Sequence, residues 1–163
     1  MLHPRTIAEI RDKVSSARVT ILVGPTGCGK STQVPPIVLD ALGGPVLCTQ
    51  PRRLAAVAIA ARVARELGEP LGSGAVGYQI GQRRALVSGT RLVFATAGIL
   101  LERLRADGLA EFSRYSCVLL DEARTRRRTE RRHLSEALKT ANFAQPYNDG
   151  SLVRRWTALG RDR

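Results

Sequence analysis

The sequence predicts a parallel α/β domain, on three observations. Short apolar runs alternate with segments of helical period. The first run, Val19 to Val23, leads straight into the glycine-rich stretch Gly24 to Thr32, and a later one, Ser116 to Leu120, ends in Asp121 and Glu122. Strands that alternate with helices build a parallel sheet, whose ligands collect beyond the carboxyl ends of its strands. At 163 residues the chain has the length of one such domain, too short for two.

Taken in order, a first helix is expected over Thr6 to Val14, where Ile7, Ile10 and Val14 fall on one face. Val19 to Val23 reads as a buried strand. The next residues, Gly24, Pro25, Thr26, Gly27, Cys28, Gly29, Lys30, Ser31 and Thr32, contain the whole pattern G-x-x-x-x-G-K-[ST]. This spacing lets a strand turn sharply into a helix while several backbone N–H groups point at one polyphosphate. Gly24, Gly27 and Gly29 can take the positive φ values and close backbone approach that the turn demands, Lys30 supplies an ammonium for the β and γ phosphates, and Ser31 a hydroxyl for Mg²⁺. The stretch is a site for a nucleoside triphosphate such as ATP.

A helix follows over Thr32 to Leu42, with Pro35 and Pro36 expected to kink or restart it and Gly43, Gly44 and Pro45 ending it. Val46 to Thr49 is a short strand, and Leu54, Val57, Ala61, Ala64 and Leu67 mark a helix closed at Gly68. Ala75 to Ile80 and Arg91 to Ala95 are further strands, separated by a basic turn region over Gly81 to Gly89. Ile99, Leu100, Leu101 and Leu104 form the apolar side of the next helix.

At the end of the Ser116 to Leu120 strand, Asp121 and Glu122 gain meaning from the phosphate cradle. Asp121 can hold the Mg²⁺ also touched by Ser31, and Glu122 can orient and polarise a water for attack on the γ-phosphate. An acidic pair that merely ends a strand in solvent is the bland alternative.

The composition names a second partner. There are 26 basic and 14 acidic side chains, a net charge of +12 and a pI near 11.1, which point to a polyanion. The charge is uneven: residues 1–123 carry 15 basic and 10 acidic side chains, whereas residues 124–163 carry 11 and 4. With three Phe, three Tyr and one Trp, a base-stacking platform is poorly supplied, so contact with the phosphate backbone is the expected mode. The three cysteines are widely spaced and unpaired in pattern, which reads as buried thiols rather than a disulfide framework or zinc site. The longest unbroken apolar run, Leu54 to Ala61, cannot span a bilayer. With no apolar signal core at its start, the chain is expected to be intracellular, nuclear or cytoplasmic, and not secreted.

Beyond residue 123 the character changes. Arg124, Arg126, Arg127, Arg128, Arg131 and Arg132 crowd together, then Leu134, Ala137, Leu138 and Ala141 keep a helical period. Gln145 to Ser151 reads as a linker, and Leu152, Val153, Trp156 and Leu159 as one side of a last helix. Residues 1–123 are thus expected to form the folded unit, and 124–163 an Arg-rich tail, partly helical or disordered.

Five blocks in this order resemble the first RecA-like domain of a DEAH-box helicase of superfamily 2. They are Gly-Pro-Thr-Gly-Cys-Gly-Lys-Ser-Thr-Gln (24–33), Thr-Gln-Pro-Arg-Arg-Leu-Ala-Ala (49–56), Val-Gly-Tyr-Gln-Ile (76–80), Thr-Ala-Gly-Ile-Leu-Leu (96–101) and Val-Leu-Leu-Asp-Glu-Ala (118–123). The resemblance covers about residues 6–123. It implies a three-layer P-loop NTPase fold with a mostly parallel sheet, ATP and Mg²⁺ as cofactors, and Glu122 and Lys30 as the catalytic pair. It also implies that Arg52, Arg53, Thr96 and Gly98 contact the backbone of single-stranded nucleic acid, usually RNA; on the residues alone, a solvated helix start is the bland alternative for Arg52 and Arg53.

Two departures stand out. Arg124 occupies the place of the family's fourth motif residue, His, which helps couple the nucleotide site to neighbouring motifs. The chain also lacks the Ser-Ala-Thr motif and the second RecA-like domain, which supplies arginine fingers and half of the nucleic-acid clamp. The strand leading to Ser-Ala-Thr lies between the cradle strand and the Asp-Glu strand, so a gap in mid-sheet is expected. The resemblance therefore implies Mg-ATP and weak RNA binding without unwinding by this chain alone. The alternative is a non-catalytic nucleic-acid-binding fragment or regulatory protein.

Overall fold

A computed structural model describes residues 2–107, 113–121 and 155–161 of the chain. In chain order the elements are α1 (Pro4–Ser16), β1 (Val19–Gly24), α2 (Lys30–Leu42), β2 (Val46–Gln50), α3 (Arg53–Glu66) and β3 (Val76–Ile80). They continue with β4 (Arg83–Ala85), β5 (Leu92–Thr96), α4 (Ala97–Asp107), β6 (Cys117–Asp121) and β7 (Arg155–Arg161). The strands form one sheet of order β1-β7-β6-β2-β5-β3-β4, parallel throughout except for the β3–β4 hairpin.

Helices lie on both faces, as parallel sheets require. Alternate residues of the central strands enter separate cores. Val46 and Cys48 of β2 join Phe94 and Leu119 under α1, α2 and α3, with Ile10, Val14, Val34, Val38, Ala60 and Val63. Leu47 points the other way, with Val93, Val118 and Leu120, against Ile99 and Leu100 of α4. The three-layer α/β architecture expected from the sequence is the one observed.

Four local expectations are corrected. Pro35 and Pro36 do not break α2, which runs from Lys30 to Leu42 as one helix. Proline removes the donors that would bond Ser31 and Thr32, but both prolines fall within the first two turns and Pro35 is buried, so packing offsets the loss. The turn region after Gly81 contains β4, with Arg84 opposite Gln79 and Arg83 opposite Ile80. β1 is buried on one face only: Val19, Ile21 and Val23 are 51%, 69% and 58% exposed, because the core under α4 does not extend to β1, whereas Thr20 and Leu22 between them face the core under α1 and α2.

The fourth correction concerns the end of the chain. Residues 155–161 form a strand, not the last helix, and that strand fills the expected mid-sheet gap. β7 runs parallel to both neighbours, with Val19 opposite Trp156 and Cys117 opposite Arg155. The spacing of Leu152, Val153, Trp156 and Leu159 fits a helix locally. A slot between two parallel strands, however, offers hydrogen-bond partners to both edges of an extended backbone, and this tertiary pairing outweighs the local period. The arginine cluster and the helical period over Leu134 to Ala141 lie outside the described residues. Among the described residues no helix is long and apolar enough to cross a membrane.

Candidate functional site

Parallel strands end on the same side of a sheet, and here β1, β6, β2 and β5 end in Gly24, Asp121, Gln50 and Thr96. All the described candidate residues therefore gather along one edge. The glycine-rich loop leaves β1 at Gly24 and closes at Gly29, the N-cap of α2. Gly27 and Gly29 stand at φ 83° and 91°, the left-handed region in which a side chain is strained. A Cβ on Gly29 would also collide with the Gln33 amide, whereas one on Gly27 meets nothing, so the demand at Gly27 is conformational alone.

Lys30 closes the loop. Its ammonium donates to the Gly24 carbonyl at 2.5 Å and the Pro25 carbonyl at 2.7 Å, with Cys28 Sγ at 3.4 Å. Thr32 and Gln33 return their N–H groups to the Gly29 carbonyl, at 3.2 and 2.8 Å, which starts the helix. No acidic residue lies in the first turn of α2, so the positive end of its dipole is not neutralised locally. Thr32 Oγ1 is engaged with the Gly29 carbonyl at 3.3 Å. Ser31 lies beside it in the first turn, half-buried like Lys30 and Thr32, while Pro25 and Thr26 are exposed.

Asp121, the last residue of β6, is buried at 9% exposure. One strand, β7, separates it from β1, a spacing of about 10 Å. The register sets Asp121 opposite Leu159, which lies opposite Leu22, so β1 continues two residues further before the loop begins. The cradle thus rises past the level of the carboxylate. Ser31 and Asp121 offer hydroxyl and carboxylate oxygens, donors that suit Mg²⁺, a hard cation bound through few carboxylates together with phosphate oxygens. Glu122 lies outside the described residues.

The other half of the edge is basic. Arg52 caps α3 and Arg53 begins it, both exposed, immediately after β2. Thr96 ends β5 and Gly98 lies in the first turn of α4, the first half-buried and the second exposed. The Arg53 guanidinium lies over Gly81, close enough that a Cβ there would touch it at 3.7 Å.

One residue of this edge was not singled out from the sequence. Gln50 is buried at 2% exposure, and its amide donates to Asp121 Oδ2 at 2.7 Å. Its signal was present: a polar residue closing an apolar strand must find a partner if it is buried. The cysteine expectation holds for Cys48 and Cys117, which are buried, whereas Cys28 is only half-buried. Burial, and then the nearby Asp121 charge, push the Cys48 thiol well above its ordinary range, so it remains neutral.

Comparison with known proteins agrees with this architecture. The sequence pattern of the DEAD/DEAH box helicase family matches residues 5–153. Among relatives, the DExH-box ATP-dependent RNA helicase DExH8 of Arabidopsis thaliana is 46% identical over 117 residues, 72% of this chain and 11% of that protein. Zinc finger CCCH domain-containing protein 4 of Oryza sativa subsp. japonica is 44% identical over 121 residues, 72% of this chain and 12% of that protein. The DExH-box ATP-dependent RNA helicase DExH1 of Arabidopsis thaliana is 40% identical over 125 residues, 72% of this chain and 12% of that protein. The matched region is thus a small part of each relative. With the phosphate loop, the buried aspartate and the Pro-Arg-Arg turn on one sheet edge, and with that match over most of its length, the chain belongs to the DEAD/DEAH box helicase family.

Proposed function

We propose that this chain is the ATP-binding part of an ATP-dependent RNA helicase, holding Mg-ATP on one half of the sheet edge and single-stranded RNA on the other. The observation that carries the reading is the convergence of four parallel strand ends: cradle, carboxylate, Pro-Arg-Arg turn and Thr-x-Gly turn share one side. In this reading the loop from Gly24 to Thr32 wraps the phosphates. Lys30 exchanges its carbonyl partners for phosphate oxygens, a change from neutral to charged acceptors that strengthens its hydrogen bonds. Ser31 and Asp121 would hold Mg²⁺, which would supply charge to neutralise the phosphates, and Glu122 would orient the attacking water.

Arg52, Arg53, Thr96 and Gly98 hold the RNA backbone without reading bases. Unwinding requires a second RecA-like domain, so the 163-residue chain binds but does not translocate. Titration of a fluorescent ATP analogue with Mg²⁺ tests the nucleotide half: binding is expected, and Lys30→Ala abolishes it. Filter binding of single-stranded RNA tests the other half. Each of Arg52→Ala and Arg53→Ala should weaken binding and flatten the log–log salt dependence by about 0.7. RNA binding that ignores both nucleotide and Glu122→Gln would favour a non-catalytic binding role. Unwinding by the purified chain would refute the need for a second domain.

A further inference from the structure

Gln50 occupies the middle of the site edge. In the sheet it lies opposite Thr96 on one side, and on the other Thr49 pairs with Leu120, which places Gln50 beside Asp121. Its side chain bridges to the Asp121 carboxylate, and one residue earlier the Thr49 hydroxyl donates to the Leu119 carbonyl at 3.3 Å. The end of β2 is therefore tied to the end of β6 through side chains, and two residues later the same backbone becomes Arg52 and Arg53. A neutral amide has a particular consequence here. It orients the carboxylate by a charge-assisted hydrogen bond without bringing a positive charge of its own, as a lysine or arginine in the same place would.

We propose that Gln50 is a positioning residue that holds the Asp121 carboxylate for the Mg²⁺ of a bound nucleotide and joins it to the Arg52–Arg53 and Thr96 turns. The inference rests on the reading of Asp121 as a metal-binding carboxylate and adds a partner that acts through it. Outer groups that orient a metal ligand typically change metal affinity about 10- to 100-fold when removed.

The test measures fluorescent-nucleotide binding by the 163-residue chain against Mg²⁺ concentration, and again in EDTA. It compares the unmutated chain, Gln50→Met, Asp121→Asn and the double variant. Gln50→Met keeps the length of the buried side chain and removes its amide, the donor to Asp121 included. Its Mg²⁺ midpoint should rise about 10- to 100-fold with binding in EDTA unchanged, and the double variant should be no worse than Asp121→Asn, because the two residues act as one unit. A merely structural role would lower binding in EDTA as well and would add to the effect of Asp121→Asn. Either result, or an unchanged midpoint, overturns the proposal. Gln50→Asn, whose shorter amide stops short of Asp121, gives the same comparison where the Met variant does not fold. Binding by the unmutated chain that ignores Mg²⁺, or survives Lys30→Ala, defeats the reading of the site and the proposal with it. An unmutated chain that needs both, beside a Gln50→Met chain indistinguishable from it, defeats the proposal alone.

Discussion

Gly29 carries two constraints in one residue. Its φ of 91° lies where an L side chain is strained by about 1–2 kcal/mol, and the Gln33 amide occupies the place of a Cβ. Gln33 is itself engaged, accepting the Leu2 N–H at 2.7 Å, so moving it disturbs the contact between the start of the chain and α2. Gly29→Ala is expected to lower the stability by about 1–3 kcal/mol and to weaken nucleotide binding at least tenfold. Urea denaturation and nucleotide titration check the two effects separately. Gly27→Ala should show the conformational cost without the collision, and so a smaller loss. The sequence pattern announced both glycines; the added role of Gln33 needed coordinates, because a pattern of types does not say which side chain fills the space.

Among the elements, β2 and β1 show how position in the sheet decides the value of an apolar residue. Both read as short apolar strands. Leu47 in β2 is 1% exposed between α4 and the sheet, whereas Ile21 in β1 is 69% exposed. Leu47→Ala should cost about 2–5 kcal/mol, transfer and cavity terms together. Ile21→Ala should stay within about 0.5 kcal/mol, since little contact is lost. Denaturant midpoints compare them directly, and equal losses would mean that the outer face of β1 is covered. The ion pair joining α1 and α2, Arg11 to Asp40 at 2.5 Å, has side chains half or more exposed and adds little to the packing of Ile10 and Val14 beneath it.

At the scale of the whole molecule, the sheet depends on its last strand. β1, which carries the phosphate loop, pairs with β7, and β7 in turn pairs with β6, which carries Asp121. Removal of residues 155–163 leaves every residue of the phosphate loop in the chain but takes away the strand between the two halves of the proposed nucleotide site. The truncated protein should melt at a lower temperature and bind nucleotide at least tenfold more weakly, whereas removal of a mere tail would change neither. Differential scanning fluorimetry and nucleotide titration decide the matter. Had residues 155–161 been the helix that their spacing suggests, the sheet would have been split at this place.

Much of the molecule was determined by sequence alone, because its signals are local. The glycine and lysine spacing defines a phosphate loop, short apolar runs mark the strands, and helices stop where Gly43 and Gly68 adopt positive φ. Element order then implies a parallel sheet, and a parallel sheet places Gly24, Asp121, Arg52 and Thr96 on one edge. What tertiary structure alone decided involves partners distant in the chain. β7 is a strand because two strands more than thirty residues away present open edges to it. β1 is half exposed because the core under α4 does not reach it, and Gln50 is a functional candidate because a carboxylate 71 residues away accepts its amide. Backbone edges and buried polar groups must be satisfied by whatever neighbour the fold supplies, and no local pattern names that neighbour.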